Sequence, residues 1–579
     1  MKLFKHLAKK DGLYALVCVA MVVFQVWMEL TMPDYTQKLT AAVSSGAVTM
    51  DAILQNGGMM LLCSAASLLA SFVCGYFAAN IAASFAKTLR SKLFDKITRF
   101  SGTEFNHFST PSLITRTTND VVQMQTLIAM GLQVLIRAPI MAVWAITKIS
   151  NTSVEWTAAA IITVAVILVL VGTLVLLCYP RFKKIQKLTD DLNDVTRENI
   201  SGVRVIRAFN AEGYQEDKFT AVNEAITGNN LFTSRTMGLM SPIMTVCSNA
   251  LTLAIYWIGA ILINRAVLFE KATVMGNMVA FTQYAMQIVA SFMMLTMIFI
   301  ILPRVMVSAK RISEVLDTEP VLQYPEEKAE NDGSGRVEFR HVSFAYQDAA
   351  NPCLHDLNFT IEPGQTFAII GSTGCGKSSV INLLPRFYDA TEGEVLIDGT
   401  DIRRYPREQL ESIVSVAPQK AILFGGTVAS NVAYGDANGA DEARVKEALS
   451  IAQAGFVDTL PEGTKAAVAQ GGTNFSGGQK QRLSIARAVY RQAEIYIFDD
   501  SFSALDYKTD MLVRKALTEK LGDKTIIIVA QRIGTIMNAD RIMVLEDGCI
   551  AGLGTHKELL ENCPVYKEIA LSQLSEEEL

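Results

Sequence analysis

The sequence predicts an α-helical membrane domain of six long transmembrane helices, followed by an α/β domain of the P-loop nucleotide-binding class. Three observations predict it. Of 579 residues, 50% are hydrophobic and 19% charged, against about 25% charge in ordinary soluble domains, and the mean hydropathy is +0.27. The apolar residues gather in long uncharged runs within residues 1–320, whereas 321–579 have the composition of a soluble domain. That second part carries a G-x-x-x-x-G-K-S run between an apolar strand and a helical stretch. The boundary between the two domains is therefore expected near residue 320.

A helix that crosses a bilayer core of about 30 Å needs roughly 20 apolar residues. Residues 57–86, 236–264 and 272–303 contain no charge, and 157–178 are almost purely aliphatic. Residues 13–32 give another span, interrupted by Gln25 and Glu29; it is too long for a cleaved signal peptide and no small-residue cleavage site follows it. The third span in chain order is the hardest to place. Arg137 leaves only 138–147 before Lys148, so a helix from about 127 to 149, with Arg137 snorkelling inward, is expected.

Charge bias orients the bundle. Residues 1–12, 81–127 and 180–241 hold 19 Lys and Arg, against four in 35–56, 148–155 and 265–273, which places the first set and both termini in the cytoplasm. The two long inner connections mix charged and apolar residues at helical spacing over 82–100 and 182–225. Membrane helices extending into the cytosol are expected, with turns at 109–120 and 201–211 at their tips. The nine cysteines are an odd number, five of them in apolar runs, which is no disulfide framework. The net charge of −5 argues against nucleic acid as a partner.

In the second domain, residues 337–346 alternate like a strand and 365–370 form a short apolar one. Gly371, Ser372, Thr373, Gly374, Cys375, Gly376, Lys377 and Ser378 follow, with Ser379 opening a helix. Glycines let backbone N–H groups approach phosphate, and the helix N-terminus favours an anion. Lys377 would reach the terminal phosphates and Ser378 would ligate Mg²⁺. Cys375 reads as a small filler. Residues 495–498 make another apolar strand ending in Asp499, placed to hold Mg²⁺. Between them, Phe475, Ser476, Gly477, Gly478 and Gln479 form a second glycine turn opening a helix.

In this order and spacing the chain resembles, along its full length, the half-transporters of the ATP-binding cassette exporters. Tyr346 is similar to the aromatic that stacks on adenine, residues 371–378 to the Walker A loop, and Gln419 to the Q-loop glutamine. Phe475–Gln479 resembles the L-S-G-G-Q signature with Phe for Leu. Asp499 ends the Walker B strand and Asp506 closes a D-loop. The resemblance implies a cassette with a helical subdomain, ATP and Mg²⁺ as cofactors, and two cassettes binding ATP head-to-tail. In that dimer each site takes Walker motifs from one chain and the signature from the other. Two departures stand out: Asp500 replaces the catalytic Glu, and Gln531 replaces the switch His. The pattern is similar to the degenerate chain of bacterial heterodimeric multidrug exporters. It implies a subunit in the bacterial cytoplasmic membrane, paired with a second half-transporter, that exports an amphipathic or hydrophobic small molecule, lipid or peptide.

Two membrane features have two readings each. Glu29 is either part of the export path or an interfacial carboxylate near Asp34. Met275, Met278, Met286, Met293 and Met297 share about a third of the circumference of the last span. Flexible thioethers suit a cargo surface that repacks, but also lipid contact or helix packing. Two other functional classes fit the altered motifs: an ATP-gated regulator or channel without turnover, and a slow homodimeric exporter.

Overall fold

The computed structural model describes residues 3, 5, 7, 9–46, 49–150, 154–267, 270–347, 349 and 351–574, and of residues 296–300 and 303 it describes the backbone alone. The chain divides into two compact units. One comprises Met1–Thr98 and Pro111–Thr318, the other Arg99–Thr110 and Glu319–Leu579.

The first unit is helical. Its elements are α1 (Lys9–Ser44) and α2 (Met50–Ile97), then, after α3 (Gly102–Phe108) of the other unit, α4 (Thr110–Thr117), α5 (Asn119–Ser150), α6 (Val154–Ala208), α7 (Glu212–Gly238), α8 (Met240–Arg265) and α9 (Lys271–Asp317). Among the described residues, six segments are long and apolar enough to cross a membrane, with α4–α5 and α7–α8 each counting as one. α6 has 55 residues, about 80 Å at 1.5 Å per residue, so it extends well beyond a bilayer core. α1, α2, α5 and α9 pack together, while α6 lies against α7 and α8. Gly276 permits the close approach of α9 to α1, because a Cβ there would stand 2.6 Å from the Gln37 carbonyl oxygen.

The third span corrects one expectation, its start. α5 begins eight residues before 127, and its buried Val121, Met124, Ile128, Gly131, Ala138, Met141, Ala145 and Ile149 recur at helical spacing. Arg137 stays inside the bundle, donating to both carboxylate oxygens of Glu29 at 2.9 and 2.8 Å. The expected tips also move. Residues 110–117 are helical, and the connection after α2 is made instead by α3. Residues 201–208 continue α6, leaving only 209–211 between it and α7. All nine cysteines are free.

The second unit holds two main sheets. β1 (Val337–Phe344), β2 (Leu354–Ile361), β4 (Glu392–Ile397) and β5 (Thr400–Asp401) form an antiparallel sheet in the order β2-β1-β4-β5. β3 (Thr366–Gly371), β6 (Val414–Ala417), β9 (Ile495–Asp499), β10 (Thr525–Val529), β11 (Arg541–Glu546) and β12 (Cys549–Gly554) form the larger one, ordered β12-β11-β3-β10-β9-β6. All its pairings are parallel except β11–β12. Such strands are buried on both faces and read as continuous apolar runs, as Thr525-Ile-Ile-Ile-Val529 does. A small ribbon of β7 (Gly426–Thr427) and β8 (Ala467–Val468) accompanies a helical region. There Val445 and Leu449 of helix Glu442–Ile451 share a core with Leu483 and Ile485 of helix Gly477–Tyr490.

Candidate functional site

The loop after β3 turns sharply into helix Lys377–Leu383. Gly376 caps that helix with φ +102°, a conformation open to glycine and costly for other residues. Gly371 cannot carry a side chain, since its Cβ would meet the Leu545 carbonyl oxygen at 2.1 Å. The Lys377 ammonium folds back over the loop, donating to the carbonyls of Gly371 (2.8 Å) and Ser372 (2.7 Å). It also lies 3.7 Å from Cys375 Sγ. Cys375 itself is buried.

Parallel strands bring the other candidates to the same sheet edge, where α/β folds place their ligands. Asp499 ends β9 next to β10 in the register Val529–Asp499. Burial, with the charge of Asp500 adding to it, pushes the Asp499 carboxyl up to about 6, and Lys377 pulls in the opposite direction. A bound cation would draw it down. Asp500 has φ +45° and its N–H donates to the Val529 carbonyl at 2.9 Å. Its Oδ2 accepts from Gln531 Nε2 (3.2 Å) and from Gln419 Nε2 (3.4 Å). Asp500 and Gln531 also line a cleft with Ser503, Arg532 and Thr535. Asp500, Gln531 and Gln419, the positions that the resemblance matches to a catalytic Glu, a switch His and a Q-loop glutamine, are thus brought together.

Tyr346 sits beyond β1 with its hydroxyl 3.0 Å from Ser379 Oγ, beside the phosphate loop. Ser476 caps helix Gly477–Tyr490 in a box with Gln479: Ser476 N–H donates to Gln479 Oε1 (2.9 Å) and Gln479 N–H to Ser476 Oγ (3.4 Å). Gly478 backs onto the loop before Asp506, where a Cβ would lie 3.2 Å from the Ala504 carbonyl. Asp506 caps helix Tyr507–Leu521. Hydrogen bonds from Thr509 hold the Asp506 carboxyl below its usual range. The hydrogen bonds described for Phe475–Gln479 run among themselves and to Gly472, Lys480 and Arg482.

The sequence gives no hint of Tyr388. Its ring stands edge-on to Tyr346, centroids 5.3 Å apart, and its hydroxyl hydrogen-bonds with the Asn106 side chain of α3. α3 is tied down again by Glu104, which accepts from the Val321 N–H at 2.8 Å. That contact had a readable half: Ser101-Gly-Thr-Glu104 is a capping box, formed as such.

In the first unit, Glu29 is held by Arg137, Gln25 and Ser67, so it is no solvated interfacial group. Asp34 pairs with Lys148 at 2.5 Å and accepts from Tyr284. Met275, Met286 and Met293 are exposed, whereas Met278 packs against Gly259. The side chain of Met297 lies outside the described residues.

Fold and site together define a P-loop ATPase joined to a six-span helical membrane domain. Residues 13–292 match the ABC transporter transmembrane region and 354–503 the ABC transporter domain. The chain is 42% identical over 542 residues to an uncharacterized ABC transporter ATP-binding protein of Mycobacterium tuberculosis, covering 92% of each. It is 31% identical over 590 residues to an ATP-dependent lipid A-core flippase of Aromatoleum aromaticum, covering 100% of this chain and 96% of that one. A bacterial Atm1-family ABC exporter solved with ATP bound is similar at a TM-score of 0.82 and 25% identity, over 97% of this chain and 98% of that one. The chain belongs to the ABC transporter family and is a half-transporter of the exporter type. It is a multi-pass membrane protein with a cytoplasmic nucleotide-binding cassette, and it couples ATP hydrolysis to transport.

Proposed function

We propose that this chain is the slow-site subunit of a heterodimeric exporter. The observation that carries the reading is the Asp500–Gln531 pair at the two positions where the family places a Glu and a His. Asp500 is one methylene shorter than Glu, and misplacing a catalytic group by about 1 Å can cost about 10²-fold. Gln531 donates a hydrogen bond but carries no charge. On this reading residues 1–320 are the membrane domain and 321–579 the cassette.

Tyr346 stacks on adenine, residues 371–379 cradle the phosphates, and Ser378, Gln419 and Asp499 surround Mg²⁺. Those side chains suit a hard cation, being oxygen donors beside phosphate. Phosphoryl transfer to water asks the protein for positioning and charge neutralisation. Phe475–Gln479 and Asp506 complete the partner's site, which supplies the turnover. The cargo is amphipathic; likeness to a flippase of lipid A-core supports a lipid-like molecule, with Met286 and Met293 facing it and Glu29 near its path. Co-purification from the native membrane tests the assembly. A second cassette protein bearing a Glu after its Walker B Asp supports it, and recovery of a homodimer with full ATPase overturns it.

A further inference from the structure

We infer that α6 and α7 hold an anionic phospholipid of the cytoplasmic leaflet, with its phosphodiester on Arg181 and Arg235. The site lies apart from the residues proposed for nucleotide and for cargo, so its failure would leave that reading standing. A cavity and an uncompensated charge at one membrane level carry the inference. The cavity, of about 590 Å³, is lined by Gly228, Leu231, Phe232, Arg235, Thr236 and Leu239, which recur every three or four residues along one face of α7. Its level follows from the chain. The uncharged run of α6 ends at Cys178 and that of α7–α8 begins at Thr236, and these two side chains meet. Charge bias puts this end of both helices on the cytoplasmic side. Arg181 and Arg235 therefore stand at the depth of the inner headgroups.

Arg181 is fixed in place without being neutralised. Its Nη1 donates to Asn229 Oδ1 at 3.1 Å. Asn229 is 7% exposed, and its Nδ2 donates to the Ala225 carbonyl at 2.7 Å. The guanidinium covers the Phe232 ring, 5.0 Å from its centroid. Amide and ring set the plane of the guanidinium, and its other N–H groups present the fork that matches a phosphate oxyanion. Residues 179–189 and 225–241 contain Arg181, Lys183, Lys184, Lys187 and Arg235 and no Asp or Glu. Among the described residues, none of these five cations pairs with a carboxylate. Such a cluster at the cytoplasmic face draws anionic lipid. Leu239, one turn deeper than Arg235 and 54% exposed, offers an apolar surface that suits an acyl chain and that free phosphate would not use.

Native mass spectrometry of the full-length protein in a non-ionic detergent, without nucleotide, tests the inference. The titrants are phosphatidylglycerol and phosphatidylcholine with the same acyl chains. Phosphatidylglycerol should bind more tightly, by about 5-fold or more, the effect of a single cation near the membrane surface. Arg235→Gln, at an exposed side chain, should weaken phosphatidylglycerol binding by about 5-fold, and Arg181→Gln by at least as much. Gly228→Leu changes no charge and places a side chain where a Cβ meets nothing within 4 Å; by filling the cavity it should weaken both lipids. Lys218→Gln, three turns nearer the cytosolic end of α7 and paired with Glu198, should leave both affinities unchanged. Equal affinity of the wild type for the two lipids overturns the inference. Unchanged phosphatidylglycerol affinity in both arginine variants overturns it as well. A loss in Lys218→Gln equal to that in Arg235→Gln also overturns it, because the attraction would then be general to the helix.

Discussion

Gln531 and Asp500 are neighbours across the sheet edge, with the Gln531 amide nitrogen 3.2 Å from Asp500 Oδ2. The carboxylate is occupied by two neutral amides, since Gln419 approaches the same oxygen. Restoring the longer acid and the imidazole should therefore awaken this site. Asp500→Glu with Gln531→His is expected to raise its turnover by about 10²-fold, the low end of what general acid–base help supplies. Single-site turnover of the proposed heterodimer, with the partner's catalytic acid neutralised, is the measurement. By contrast, Asp500→Asn should leave most of the assembled ATPase intact and Gly477→Asp should abolish it.

On the proposed reading Lys377 is the point charge that meets the phosphates, and in the structure two carbonyls satisfy it. Lys377→Ala should weaken nucleotide binding by this chain strongly. Tyr346→Ala should weaken it less, by about 1–3 kcal/mol if stacking behaves as other base–aromatic contacts do, and equally for ATP and GTP. Equilibrium binding of a fluorescent nucleotide to the full-length chain distinguishes the two.

Glu29 and Arg137 join α1 to α5 by an ion pair with side chains 19% and 29% exposed. Glu29→Gln removes one charge and strands the other. The expected loss is about 3 kcal/mol, the lower end for a buried pair broken on one side. Adding Arg137→Gln should recover most of it. Thermal unfolding in detergent reads both, and an additive double variant would show that the pair is not coupled.

Glu104 gives α3 a pH dependence. Burial alone would raise its carboxyl, but hydrogen bonds from Ser101 and the Val321 N–H outweigh this and hold it below the usual range. Because the folded state favours the ionised form, its contribution is complete above the unfolded pKa and is lost as pH falls through the folded one. Acid below the ordinary carboxylate range should therefore loosen residues 99–110, and Glu104→Gln should remove that dependence. Hydrogen exchange of the segment against pH measures it.

Replacing Met286 and Met293 by Ala should change which compounds stimulate ATPase and leave the unstimulated rate nearly unchanged. Uniform loss would mark them as packing residues.

Much of the candidate site was legible because its parts are local. A glycine turn, a lysine and a helix start lie within nine residues, and an apolar strand announces Asp499. What escaped were meetings between distant segments. Glu29 and Arg137 each stood out as charges in apolar runs, yet nothing in either run says that they face one another. Gly102 and Tyr388 carry no mark at all of their contact. The first cytoplasmic tip was misplaced for a local reason: Ser109, Pro111 and Ser112 look like a loop. Proline is tolerated in the first turn of a helix, and Pro111 is the second residue of α4.

Residues 99–110 fold with the cassette although they are encoded between two membrane helices. A soluble fragment beginning near residue 320 would therefore be missing a piece of itself. The Tyr388 hydroxyl would face water, and the Val321 amide would lack its carboxylate. Enzymology on such a fragment would describe a cassette without the segment that completes its fold. Fusing residues 99–110 back through a short linker would be the simplest repair.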